Sequence, residues 1–269
     1  MKCCVNQITF GERGFADVVA ACAGAGFTAI ELWLPHIERF LESGHRASEA
    51  RRLLGDHGLE AAGACYVDGL FGPAGEAKRQ AFDRAKGRFE LCQELGAPVI
   101  TCVGSGPTEP TPEDYRHAVE RTREVGELAE SFGLTVGIEF IAGVHFLGTL
   151  ATTARLVEEA DRPNVGVLLD TFHFFAGSSK VSDFDDLGRR GIVFVHLNDA
   201  PDVPRETLTD SQRVLPGDGC FPLTEILELI EQSGYDGHYS VELFNAALWA
   251  EEPAAVARKA FLACQCLAT

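Results

Sequence analysis

The sequence predicts a single closed (β/α)8 TIM barrel. Three observations carry this expectation: eight short β-rich runs, helix-like stretches between them, and a length of 269 residues with no Gly/Ser linker. Strands that alternate with helices pair in parallel, and barrels of about 250 residues are ordinary single domains. The expected domain therefore spans 1–269. An open, doubly wound sheet is disfavoured because no GxGxxG fingerprint follows the first strand.

In chain order, the expected strands are CVNQITF (4–10), AIELWL (29–34), EAAGACYV (60–67), PVITCVGS (98–105), LTVGIEF (134–140), VGVLLDT (165–171), IVFVHLND (192–199) and HYSVELF (238–244). Between the strands, DVVAACAGAG, SEARRLLGDHG, AKRQAFDRAKGRFELCQELG, PEDYRHAVERTREVGELAESFG and TLATTARLVEEA repeat apolar residues at helical spacing. PLTEILELIEQSG and PAAVARKAFLAC continue the pattern, with Pro near the start and sometimes Gly past the end. Only the sixth helix, around FDDLGRR, is weak. Asp185–Asp186 and Glu251–Glu252 read as solvated helix starts.

Composition narrows the function. With 46% hydrophobic residues, the chain reads as a soluble globular protein with ample core. A net charge of −17 repels phosphate backbones and anionic membranes, so neither is an expected partner. No apolar run approaches a membrane span, and MKCCVNQITF lacks the features of a secretory signal. The nine cysteines include no CxxC pair. They read as small buried hydrophobes in a reducing cytoplasm, the expected location, and predict no Cys-based zinc site. The oligomeric state is left open, a homo-oligomer included.

The stretch VGVLLDTFHFF (165–175) drives a buried strand straight into a carboxylate, Asp170. Burying that charge is costly unless something pairs with it. In a barrel, catalytic groups collect at the C-terminal strand ends. Read in order, those ends carry Glu139 in GIEF, Asp170, His196 in VHLND and Glu242 in SVELF. Period-two alternation places Thr135, Gly137 and Glu139, Gly166, Leu168 and Asp170, Ile192, Phe194 and His196, and Ser240 and Glu242 toward the axis. Val136, Ile138, Val165, Val167, Leu169, Val193, Val195, Leu197, Val241 and Leu243 then face the helices. Three carboxylates and an imidazole would converge, and without a cation they would resist ionisation. The strand ends offer no Arg or Lys, so one divalent metal (Mn, Zn, Mg or Co) is the expected cofactor, held by Glu139, Asp170, His196 and Glu242.

The segments GIEF, NVGVLLDTFHF, VHLND, DSQRVLPGDG and SVELF, in this order, resemble the xylose isomerase-like barrels of sugar phosphate isomerases and epimerases. The resemblance covers nearly the whole chain and is strongest to 2-keto-myo-inositol isomerases. It implies the same four metal ligands, with His173 and Arg213 touching substrate oxygens. The residues fit those roles. His173 follows a strand end, on an expected loop over the mouth, where it can donate to a ketone oxygen; a second-sphere or surface position is the competing reading. Arg213 precedes PGDG and can hold a developing oxyanion or pair with Asp210 or Asp218. Glu31 and Trp33 end the second strand, where Trp33 either walls a sugar ring or packs in the core. Asn198 or Asp199 is expected to orient His196 or its loop.

The expected reaction moves a ketone in a keto sugar or cyclitol, or inverts a centre, through an enediolate, with Glu139 or Glu242 as the base. Two alternatives share the barrel. One is a dehydratase of an inosose or dehydroshikimate-like substrate. The other is an apurinic endonuclease, disfavoured because strands three and four end in CYVDG and CVGSG without histidine, and because of the acidic charge.

Overall fold

In the computed structural model, which describes residues 1–267, eight parallel strands close into a barrel in sequential order. They are β1 (Lys2–Asn6), β2 (Ala29–Trp33), β3 (Glu60–Val67), β4 (Val99–Val103), β5 (Thr135–Glu139), β6 (Val165–Asp170), β7 (Ile192–Leu197) and β8 (His238–Val241). The helices are α1 (Phe15–Ala25), α2 (Leu34–Glu42), α3 (Ala47–Asp56), α4 (Glu76–Leu95), α5 (Pro112–Glu130), α6 (Leu150–Ala160), α7 (Thr171–Ala176), α8 (Leu223–Gln232), α9 (Ala246–Trp249) and α10 (Pro253–Leu267). The ring closes where β1 pairs with β8 from Lys2–His238 to Val5–Val241. No helix among the described residues is long and apolar enough to cross a membrane.

Local chemistry sets the helix ends. Thr111 caps α5 in a reciprocal box with Asp114, and Pro112 occupies the first turn. Gly26 ends α1 in the left-handed conformation (φ 105°), where a side chain would be strained and would also crowd Phe261.

The two strand faces separate as expected except at the start of β7, where the Val193 side chain lies against Gly137 and Gly166 on the axis side. Val136, Ile138, Val167, Leu169, Val195, Leu197 and Val241 are buried under the helices. Cys4, Ala29, Ala62, Leu168 and Phe194 fill the barrel axis. Small residues surround the two large ones, so the lower barrel is packed rather than open. Truncating Phe194 to alanine would cost about 3–5 kcal/mol.

Several boundaries differ from expectation. The first strand lies earlier, because the chain turns into a 3-10 helix at Gln7–Phe10 once Asn6 Oδ1 accepts from the Ile8 N–H at 2.9 Å. The weak sixth helix is absent from the outer layer. A 3-10 turn, Val181–Asp186, stands there, so Asp185 and Asp186 end an element instead of starting one. Ile192 packs in the outer layer, not on the axis, because the β6–β7 register shifts between Val167 and Leu168. Helix α2 was not anticipated; it begins directly after Trp33, with a Pro in its first turn.

Candidate active site

Strand register brings the site together. Asp170 lies beside His196, His196 beside Ser240, and Asn6 beside Glu31. Glu139 ends β5 opposite Val103, and Glu242 directly follows β8. One donor atom from each of Glu139, Asp170, His196 and Glu242 lies within 4.8 Å of all the others, and all four residues are buried. His196 Nδ1 faces this group, 3.1 Å from Glu139 Oε1, 3.3 Å from Glu242 Oε2 and 3.7 Å from Asp170 Oδ2.

The site also holds a buried charge whose role the strand pattern did not reveal. Glu31, fully buried, stands 3.1 Å from His196 Nε2. Its Oε2 accepts from Asn6 Nδ2 and Ser240 Oγ, each at 2.7 Å. Asn6 Nδ2 also reaches Glu242 Oε1 at 3.2 Å. Asn6 ends β1 and Glu31 lies beside it, two residues before the end of β2, so alternation along the two strands could have pointed to both.

The strand ends supply no cation, as expected, but a loop does. Arg213 is only 1% exposed. Its Nη1 donates to Asp170 Oδ2 (2.7 Å) and Glu242 Oε2 (2.9 Å), and its Nη2 to Asp210 Oδ1 (2.6 Å). Rings of Phe172 and Phe244 lie against the guanidinium. Arg213 therefore pairs with two of the four clustered groups and with Asp210; Asp218 is not a partner.

Electrostatics follow from this packing. Burial alone would raise the Asp170 carboxyl, but the Arg213 guanidinium reverses the sign and holds it far below the usual carboxylate range. Burial pushes Glu139 and Glu242 up, against the pull of His196. Burial also opposes charge on His196, yet Glu242 and Glu31 outweigh it and hold the ring protonated well above its ordinary range. Even with Arg213 and His196 both cationic, four buried carboxylates leave excess negative charge.

The other expected residues fall around the mouth. His173 lies in helix α7 rather than a loop, because Asp170 Oδ1 caps that helix through the His173 N–H at 3.0 Å. Its Nδ1 faces the Ala142 N–H (3.3 Å) and its Nε2 faces Arg213 Nη2 (3.2 Å). A second ring proton would find only donors. Burial and Arg213 accordingly lower its pKa, and the ring is neutral. Trp33 is half-buried against Tyr66 and Phe244, with ring centroids 5.0 and 5.8 Å apart. Trp33, Tyr66, Ile141, Phe244 and Trp249 wall a cavity of about 480 Å³ whose floor carries Glu139, His173, Arg213 and Glu242. Asn198 orients Asp170, not His196: its Nδ2 donates to both Asp170 oxygens at 3.2–3.3 Å. Asp199 holds the following loop by accepting from the N–H groups of Gly217, Gly219 and Phe221. No disulfide forms among the described residues, and most cysteines are buried. Cys65, though in no CxxC pair, lies close enough to Glu31 and His196 to form a second three-donor group.

The clustered carboxylates and imidazole stand at the C-terminal ends of the parallel strands, where barrel enzymes carry their catalytic groups. The chain belongs to the xylose isomerase-like TIM barrel family, whose profile matches residues 19–263. It is 30% identical over 251 residues to an inosose isomerase of Halalkalibacterium halodurans, covering 91% of this chain and 88% of that protein. It is 31% identical over 231 residues to a 3-dehydroshikimate dehydratase of Pseudomonas aeruginosa, covering 85% of this chain and 36% of the longer relative. Among solved structures, the IolI protein with a bound zinc atom superposes with a TM-score of 0.90 at 24% identity, covering 99% of this chain and 98% of that one.

Proposed function

We propose that this protein is a divalent-metal-dependent isomerase of inososes or closely related keto sugars. The observation that carries the reading is the cluster of Glu139, Asp170, His196 and Glu242, two of whose carboxylates, Glu139 and Glu242, line the floor of a walled cavity, in a chain related to inosose isomerases.

The donor set fits a metal. Three carboxylate oxygens and one imidazole nitrogen suit Zn, Mn, Co or Mg. Their mutual spacing, within 4.8 Å, suits bonds of about 2.0–2.2 Å to one centre. The excess negative charge supplies the electrostatic reason. Glu139, Asp170 and Glu242 would bind through oxygen and His196 through Nδ1. A bound divalent ion would polarise the substrate ketone as a Lewis acid and acidify the neighbouring C–H.

The chain's own groups do the rest. A carboxylate of the pair Glu139 and Glu242 removes the proton from the hydroxyl-bearing carbon and returns it to the adjacent carbon. Glu139 is the freer of the two: among the described residues its carboxylate hydrogen-bonds His196 alone, whereas Glu242 accepts from Asn6, Arg213 and the Cys65 thiol. Arg213 supplies positive charge beside the developing oxyanion. Neutral His173, through Nε2, can donate to or accept from a substrate oxygen. The aromatic wall with Trp33 covers the apolar face of a ring and excludes water.

The test is 2-keto-myo-inositol in heavy water with zinc- or manganese-loaded protein. The expected product is an isomeric ketone of unchanged skeleton mass carrying deuterium. Glu139→Gln and Glu242→Gln should each lower the rate by about 10²–10⁴-fold with the fold retained. Loss of one water would assign the dehydratase chemistry of the Pseudomonas relative instead. No exchange with any inosose would refute the substrate class.

A further inference from the structure

We propose that Glu31 is a positioning residue that sets the tautomer of His196. Once metal binding has displaced the second proton, it holds the remaining ring proton on Nε2 and so leaves the Nδ1 lone pair facing Glu139, Asp170 and Glu242. The inference rests on the metal reading above and assigns a role to a residue outside the four-ligand set.

The argument is one of saturated hydrogen bonds. Asn6 Oδ1 is engaged by the Ile8 N–H at 2.9 Å, so the other end of that amide, Nδ2, must point at Glu31. Glu31 Oε2 receives this donor and the Ser240 hydroxyl, both at 2.7 Å. That leaves Oε1 to face His196 Nε2 at 3.1 Å. Asn6, Glu31, His196 and Ser240 are fully buried, so no water competes. Cys65 Sγ, the other group near Nε2, is farther away at 3.8 Å. A neutral imidazole carries one proton, and a carboxylate at Nε2 keeps it there. Nδ1 is then the acceptor, and it is the nitrogen that faces the clustered carboxylates. Carboxylates that orient a ligating histidine in this way are worth about 10–100-fold in metal affinity.

Glu31→Gln is nearly isosteric and reverses the pattern. If its oxygen stays with Asn6 and Ser240, its amide N–H meets Nε2 and favours the proton on Nδ1. If the amide flips, its NH2 meets the Asn6 donor, which cannot turn without abandoning Ile8. Either arrangement opposes metal capture at Nδ1.

The experiment uses the full chain, with zinc affinity measured against a competing chelator and the histidine ring nitrogens read by ¹⁵N NMR. Zinc-loaded wild type should show a protonated Nε2 and a metal-shifted Nδ1 at His196. Glu31→Gln should bind zinc about 10–100-fold more weakly, with Glu31→Asp recovering part of the loss. Glu31→Gln binding within twofold of wild type would overturn the proposal, as would a proton on Nδ1 in zinc-loaded wild type. The wild-type tautomer decides the matter even if the variants fold poorly. Failure of the wild type to take up zinc would overturn both this proposal and the metal reading.

Discussion

Replacing Arg213 with methionine removes the buried cation while keeping most of the apolar stem. In the metal-free protein, Asp170 and Glu242 then lose donors at 2.7 and 2.9 Å in a water-free site. Each charge-assisted bond is worth about 1.5–3 kcal/mol, and stranding buried charges by removing their partner costs about 3–5 kcal/mol. The Asp210 contact adds little, because that carboxylate is half exposed. At roughly 2 °C per kcal/mol for a chain of this length, the metal-free Tm should fall by about 6–10 °C. The pH dependence has a definite sign. In the wild type, Asp170 is held below its unfolded pKa, so its contribution is present above the unfolded value and is lost as pH falls through the folded one. The gap between wild type and variant should therefore be full near neutral pH and shrink in acid. Saturating zinc supplies a replacement cation to the same carboxylates, so the gap should also narrow in loaded protein. Calorimetry of both proteins, with and without zinc, checks this. A metal-free Tm within about 2 °C of wild type, or a gap unaffected by zinc, would refute the reasoning.

Asp170→Asn should reduce bound divalent metal, measured by elemental analysis of the dialysed protein, to a small fraction of the wild-type content while the circular dichroism spectrum is retained. Because His196 is held protonated in the metal-free site, zinc binding should release about one proton near neutral pH and tighten as pH rises; calorimetry in buffers of different ionisation enthalpy reads the number. Trp33→Ala should raise KM for a cyclic substrate roughly 5–30-fold, corresponding to about 1–2 kcal/mol of lost ring contact, with kcat little changed; an unchanged KM would return Trp33 to a packing role. Abasic DNA should remain intact under conditions of full isomerase activity, because the acidic surface disfavours phosphate contacts; nicking abolished by Glu139→Gln would contradict this.

Much of this protein was legible along the chain because its information is periodic. Strand alternation needs only neighbouring residues, and it placed Glu139, Asp170, His196 and Glu242 on the axis side of four strands. The same rule sorted Val136, Ile138, Val167 and Leu169 to the helix side. Strand ends were less legible, since hydrogen bonding rather than propensity decides them: Asn6 turns the chain early and Asp170 caps a helix that carries His173. What pairs with the buried charges is a matter of closure. Arg213 reaches Asp170 across 43 residues of sequence from an irregular loop, and Asn6 meets Glu242 across 236. No local pattern encodes such contacts. They arise because a barrel must join its first strand to its last, and because charges excluded from water must find each other wherever the ring brings them together.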